Sequence, residues 1–302
     1  MSEPRSWARR WISEPEFAEL AVTRSASELW SLLLEVMDRR ATARSPAEVL
    51  RQWSRDPFTR PSEVDQRSLV ELDAHLLAAA EGFESLELSP VTPLGTCSTV
   101  GLASQNKILS ALRGTEVVSD PTNVLALESA RRLRTGSGSE VRLVTSHRCV
   151  RAQAFPGKSG YAQHFRMFCL ATGGRERADH GLLVGAITEH IEVLLRAMQD
   201  LQKLGYTFPG RRLTLLTTPE REVLGDRIEA LLGDIKVERQ RLEHPYYDGV
   251  RYMLWARSAE GDEIPLGDGG AFDWLAKLAA DRKLAFISSG FGTQLAAKVF
   301  RR

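Results

Sequence analysis

The chain has 302 residues, 43% of them hydrophobic and 26% charged, enough to bury one large core with or without a smaller appendage. No apolar run reaches the roughly 18 residues that span a bilayer. The N-terminal stretch MSEPRSWARRWISEPEF has no signal-peptide core, so a cytoplasmic protein with no membrane partner is expected. Forty Lys and Arg against 39 Asp and Glu leave a net charge of +1, which excludes a global field drawing in nucleic acid.

Residues 1–65 read as a helical extension. Leu29, Leu32, Leu33, Val36 and Met37 fall on one helical face, and Ser45-Pro46-Ala47-Glu48 has the form of a helix start with proline in the first turn. Four of the six tryptophans (Trp7, Trp11, Trp30 and Trp53) lie here, and the expectation is a helical cap packed on the main domain through them. Ten basic against eleven acidic residues in this stretch argue against a nucleic-acid arm. Asp56-Pro57 and Arg60-Pro61 mark a linker.

From residue 66 the pattern becomes mixed α/β. Leu69, Leu72, Leu76 and Ala79 predict an amphipathic helix ending at Gly82, followed by a strand from Ser85 to Ser89. Strands are expected at Val141–Thr145 and Phe165–Ala171. A long helix is expected from Leu183 through Leu204, with Gly205 as its C-cap, and a strand at Leu213–Thr217 precedes a helix from Pro219. The remainder predicts a strand at Val250–Ala256, a helix at Phe272–Ala280, a strand at Leu284–Ser288 and a final helix from Thr293. Hairpin-dominated strands with flanking helices give an α+β fold built on an antiparallel sheet. Cys97, Cys149 and Cys169 are odd in number and far apart, which suits buried thiols and neither disulfides nor a zinc site. Between Arg131 and Arg177, ten basic residues face only Glu140 and Glu176, a concentration that points to a local anion site.

Several motifs, in order, resemble class II aminoacyl-tRNA synthetases, the histidyl enzymes above all. Glu81-Gly82-Phe83 and the following strand to Pro90 resemble the first motif, the dimer-forming helix and strand. Ser119-Asp120-Pro121-Thr122-Asn123 resembles the acidic-x-Thr loop that holds the substrate's amino group. His147-Arg148-Cys149-Val150-Arg151-Ala152-Gln153, a glycine-bearing loop, and His164-Phe165 resemble the second motif. Pro245-Tyr246-Tyr247-Asp248-Gly249 is similar to Asp-Tyr-Tyr-x-Gly, and Gly269-Gly270-Ala271-Phe272-Asp273 to Gly-Gly-Arg-Tyr-Asp. Ser289-Gly290-Phe291-Gly292-Thr293-Gln294-Leu295 stands where the third motif ends in Glu-Arg-Leu.

The resemblance implies a catalytic-type domain over residues 66–302, with no anticodon-binding domain, and a homodimer. It implies Arg148 as the catalytic α-phosphate clamp, with Arg151, Gln153, Lys158, Phe165 and Gln294 around the nucleotide. Asp120, Thr122, Tyr246 and Tyr247 would bind the amino-acid or carboxylate substrate. ATP with Mg²⁺ is the implied cofactor pair. Departures restrict the reading. Val150 replaces the motif-two glutamate, Gln294 the motif-three arginine, and Ala271 the arginine of Gly-Gly-Arg-Tyr-Asp. Leu242 falls on the histidine-specific arginine, with Arg241 one step out of register, and Met167 and Ala171 replace a glutamine and a glutamate. Each such loss removes about 2–4 kcal/mol where developing charge is held, so charging a tRNA is not expected. Two functions remain. One is a stand-alone enzyme, an ATP-dependent ligase passing a small carboxylate to a non-tRNA acceptor. The other is a catalytically silent, ligand-sensing subunit that binds a partner enzyme, as in the regulatory subunit of ATP phosphoribosyltransferase.

Overall fold

The computed structural model describes residues 11–136, 138–153 and 160–301. Three short helices open the chain. They are α1 (Glu14–Ala18), running on into a π-helical turn, α2 (Ala26–Thr42) and α3 (Pro46–Arg55). Each begins at a serine whose hydroxyl accepts from the third helical amide while a glutamate there reaches back, the pairs being Ser13/Glu16, Ser25/Glu28 and Ser45/Glu48. The expected packing of this region through its tryptophans is not what the structure shows. No residue of these helices is buried, and Trp11 and Trp53 are 86% and 48% exposed. Only the Trp30 indole approaches the body, lying beside Gly114. Trp7 lies outside the described residues. Contact with the body comes instead through the segment after α3, where Glu63 pairs with Lys298 at 3.0 Å and Val64 packs on the core.

The helix α4 (Gln66–Ala79) buries Leu69, Leu72, Leu76 and Ala79 on one face, as their spacing predicts. Gly82 follows at φ +92°, where a side chain would be strained. The strand expected from Ser85 to Ser89 is cut to β1 (Glu84–Ser85). A small three-stranded sheet then forms from β2 (Val91–Pro93), β3 (Ser110–Ala111) and β4 (Thr115–Val117), with the short helix α5 (Thr96–Thr99) inside it. Next come α6 (Pro121–Arg134), β5 (Glu140–Val150), β6 (His164–Arg175), α7 (Gly181–Gln202) and β7 (Arg212–Thr217). The chain continues through α8 (Glu222–Leu232), β8 (Val237–Arg241), β9 (Val250–Arg257) and β10 (Glu263–Phe272). It closes with α9 (Trp274–Ala279), β11 (Leu284–Phe291) and α10 (Thr293–Val299). Strands β8 and β10 were not expected, and Phe272 ends a strand rather than starting a helix. Its aromatic ring stacks on Trp274 at 3.9 Å across that junction.

One sheet of eight strands, ordered β1-β5-β6-β11-β10-β9-β7-β8, carries the body. Its central ladders are antiparallel, with parallel pairs only at the two edges, β1 with β5 and β7 with β8. One face packs on α4, α7, α8 and α10 through a core containing Val144, Phe168, Leu170, Ile187 and Leu213. The other face packs on α6 and α9 through Leu125, Leu143, Cys169, Ala171 and Phe286. Alternation along β5 and β6 therefore decides what every polar residue in these strands can reach.

Candidate functional site

A cavity of about 510 Å³ opens on the α6 face of the sheet. Its floor is formed by β6, β9, β10 and β11. Its rim is formed by the α6 N-terminus and the segment leaving β5. Gly290 keeps part of the floor clear, since a Cβ there would fall 2.8 Å from Met167, which lines the cavity.

At one end Asp120 caps α6, whose first helical residue is Pro121. Its Oδ1 accepts from the Thr122 amide at 3.1 Å and the Thr122 hydroxyl at 2.7 Å. Its Oδ2 stands 3.5 Å from Nη2 of Arg151. Arg151 donates from Nε to the Ser119 carbonyl at 2.9 Å, and its guanidinium lies 5.1 Å from the centre of the Phe165 ring. Its Nη1 makes no hydrogen bond among the described residues. Gln153, exposed, lines the same end. Tyr246 forms a wall, edge-on to Tyr247, Phe272 and Trp274 at 5.1, 5.5 and 5.8 Å. Burial holds the hydroxyls of Tyr246 and Tyr247 well above the usual phenol range.

Also lining the cavity, Asp268 of β10 meets Arg251 of β9 side-on, Nε to Oδ1 at 3.0 Å and Nη2 to Oδ2 at 2.6 Å. The Tyr247 hydroxyl donates to Oδ1 at 2.9 Å, and the Arg251 guanidinium lies 4.9 Å from the Tyr247 ring centre. The sequence motifs did not single out this pair. The available signal was alternation along β9, because burying Val250, Tyr252, Leu254 and Ala256 on one face puts Arg251 and Met253 on the other.

The structure separates two residues expected at the nucleotide. Arg148 and Gln294 do not line the cavity. Arg148 shares a strand face with Ser146, whose hydroxyl bonds Asp73 of α4, so it points through the sheet to the side opposite Asp120. There its Nη1 lies 2.9 Å from Nδ1 of His164 and 3.3 Å from Oε1 of Gln294. Burial, and then the nearby Arg166, push the Arg148 guanidinium below its usual pKa. The reason is parity: residues 148 and 151 differ by an odd number and occupy opposite faces. Lys158 lies outside the described residues.

The basic run from Arg131 to Arg177 is also largely spoken for. Arg131 and Arg132 pair with Glu128, Arg142 with Glu189, Arg166 with Asp73, Arg175 with Asp281, and Arg177 with Glu140. Their carboxylates come mostly from outside the run, and the two arginines hold the Glu128 carboxyl down at about 2. Of the described basic residues of the run left over, Arg134, Arg148 and Arg151, Arg151 alone lines the cavity, where it stands against Asp120.

The three thiols are buried and free. Burial raises Cys97 to about 11, which makes it unreactive at neutral pH. Among the described residues no group of three or more His, Cys, Asp or Glu side chains is placed to hold a metal ion, and no helix is long and apolar enough to cross a membrane.

Solved structures share this architecture. The ATP phosphoribosyltransferase regulatory subunit/histidyl-tRNA synthetase of Bacillus halodurans C matches with a TM-score of 0.59 at 14% identity, over 80% of this chain and 82% of its own. The histidine–tRNA ligase subunit of Alicyclobacillus acidocaldarius matches at 0.58 and 14%, over 81% and 96%. The RNA binding domain of threonyl-tRNA synthetase from Cryptosporidium parvum Iowa II matches at 0.57 and 12%, over 80% and 64%. No protein-family model and no curated sequence matches the chain. The protein therefore has the class II aminoacyl-tRNA synthetase-like fold. Histidyl and threonyl proteins match about equally well, so the likeness is one of fold and assigns no amino-acid specificity.

Proposed function

We propose that this cavity binds an α-amino acid or related small carboxylate beside a phosphate-bearing ligand, and that the protein is a paralogue of the histidyl-type synthetases. The observation that carries the reading is the joining of Asp120 and Arg151 at one end of a single cavity. A carboxylate fixed by Thr122 suits an ammonium group, and a guanidinium whose Nη1 makes no hydrogen bond among the described residues suits a phosphate oxygen. The Phe165 ring, already under Arg151, is a face for a nucleobase. In the enzymatic form of this reading ATP is the co-substrate. The bound carboxylate attacks the α-phosphorus, an acyl-adenylate forms as pyrophosphate leaves, and the acyl group then passes to a nucleophile on a non-tRNA acceptor with release of AMP. Arg151 then supplies charge at the phosphorus and Asp120 holds the nucleophile in place. Mg²⁺ would arrive on the nucleotide's phosphates, since such ions need few protein ligands.

A second reading is a ligand-sensing subunit with a partner enzyme, like the Bacillus halodurans protein whose name carries both roles. It is favoured by the third-motif position, where Gln294 is engaged by Arg148 and His164 and offers no cation to a terminal phosphate. A thermal-shift screen against ATP, other nucleotides, phosphoribosyl compounds and amino acids tests what the readings share. A ligand at about 100 times its Kd adds about 2.7 kcal/mol of apparent stability. A stabilising phosphate compound together with an amino acid is expected, and the absence of both would remove the proposal. Amino-acid-dependent exchange of pyrophosphate into ATP then separates the enzyme from the sensor.

A further inference from the structure

Resting on the reading of the cavity as an amino-acid site, we propose that Arg251 and Asp268 select a ligand whose side chain ends in a carboxamide, as in asparagine or glutamine. The pair lines the same cavity as the Asp120 carboxylate and the Arg151 guanidinium and is held there by its own partners, so a ligand gripped by the first pair can present its side chain to the second. It is not sealed, since the two side chains keep 23% and 37% of their surface exposed.

The hydrogen-bond inventory is uneven. Oδ1 of Asp268 receives both the Tyr247 hydroxyl and Nε of Arg251, while Oδ2 receives only Nη2. Among the described residues Nη1 of Arg251 donates to nothing. The pair thus presents, side by side, an acceptor on Oδ2 and spare N–H donors on the guanidinium. A charged side chain is poorly matched there. A second carboxylate would be repelled by Asp268, and an ammonium or guanidinium by Arg251. A neutral group with one acceptor and one donor matches both. In a carboxamide these sit on one carbon and can meet the two partners together. In an imidazole the ring nitrogens diverge, and the two cannot be met at once. Met253 and Phe272 give the stem of the side chain an apolar surround. Sites built to pair a specific polar group discriminate strongly, because a mismatched ligand leaves buried partners unpaired.

The test is isothermal titration of asparagine, glutamine, aspartate, glutamate and histidine, with ATP present, into the full chain and three variants. The variants are Asp120→Ala, Asp268→Asn, and the double change Arg251→Met with Asp268→Leu. The double change removes both charges and leaves neither orphaned, so it guards against a fold failure in the single variant. The native protein should bind a carboxamide amino acid at least about tenfold more tightly than its acid or histidine. Asp268→Asn should shift the preference toward the corresponding acid, and the double variant should show none. Binding that needs Asp120 but shows no carboxamide preference, or a preference that survives both changes at the pair, would overturn this inference and leave the amino-acid site standing. If no amino acid binds at all, the reading of the cavity itself fails, and this inference with it.

Discussion

Beneath the cavity floor runs a chain of buried polar side chains. The Tyr252 hydroxyl meets Ser289 at 2.7 Å, Ser289 meets Nδ1 of His190 at 2.8 Å, and Nε2 of His190 meets Thr172 at 3.0 Å. Burial, and then the nearby Arg142, push His190 down to about 3, so the imidazole is neutral in the folded protein. Unfolded, it would titrate near 6.5. Between those values the unfolded chain binds the extra proton, so the folded state gains stability as pH rises and loses it as pH falls. The loss approaches about 1.4 kcal/mol for each pH unit below 6.5. Urea denaturation between pH 4.5 and 7 should therefore show a steeper slope for the native chain than for His190→Gln. Equal slopes would mean that His190 is solvated or charged in the fold. The residues proposed to carry the amino-acid end, Asp120 with Thr122, stand out in the sequence because Asp-Pro-Thr at a helix start is a local pattern. Arg148 and Arg151 could not be ranked from sequence, because matching a motif by residue type does not fix which face of the sheet each takes. Asp268 was missed because its partner, Arg251, is distant in sequence and adjacent only across the β9–β10 ladder.

At the scale of elements, amphipathic spacing foretold the helices well where one face is buried. In α7, Leu183, Ile187, Ile191, Leu194, Met198 and Leu201 are all at most 3% exposed. The same spacing foretold α2 as a helix, none of whose residues is buried although Trp30 lies beside Gly114. Periodicity states that a face is apolar and says nothing of what covers it. Strand ends were harder to read. β6 runs to Arg175, past two glycines that look like a break in sequence. Gly173 is packed against Leu275 and Gly174 against the Ser139 backbone, so both are there for close approach. Strand β1 lies at the sheet's edge and pairs on one side only, with β5. An unpaired edge beside α4 suits the two-fold association proposed from the first motif. Light scattering at micromolar concentration should give a dimer mass, and a monomer would contradict that proposal.

Across the whole molecule, the order of the motifs carried the fold, although each was weak alone and the identity to structures of like fold is 14% or less in the matches above. What sequence order could not supply was the allocation of charge. The run from Arg131 to Arg177 looks like an anion site only until the carboxylates of Asp73, Glu128, Glu189 and Asp281 are folded against it. The central claim is that Asp120 and Arg151 together hold an amino acid and a phosphate in one cavity. Its most direct test is titration with a panel of non-hydrolysable aminoacyl-sulfamoyl adenosines, asparaginyl, glutaminyl and histidyl among them, which span both groups. At least one should bind. Asp120→Ala and Arg151→Ala should each weaken it roughly tenfold or more, as expected for a lost charge-assisted hydrogen bond of about 1.5–3 kcal/mol. Arg148→Ala should leave its affinity unchanged. No binding by any member of the panel, or binding lost with Arg148 and kept without Arg151, would contradict the account.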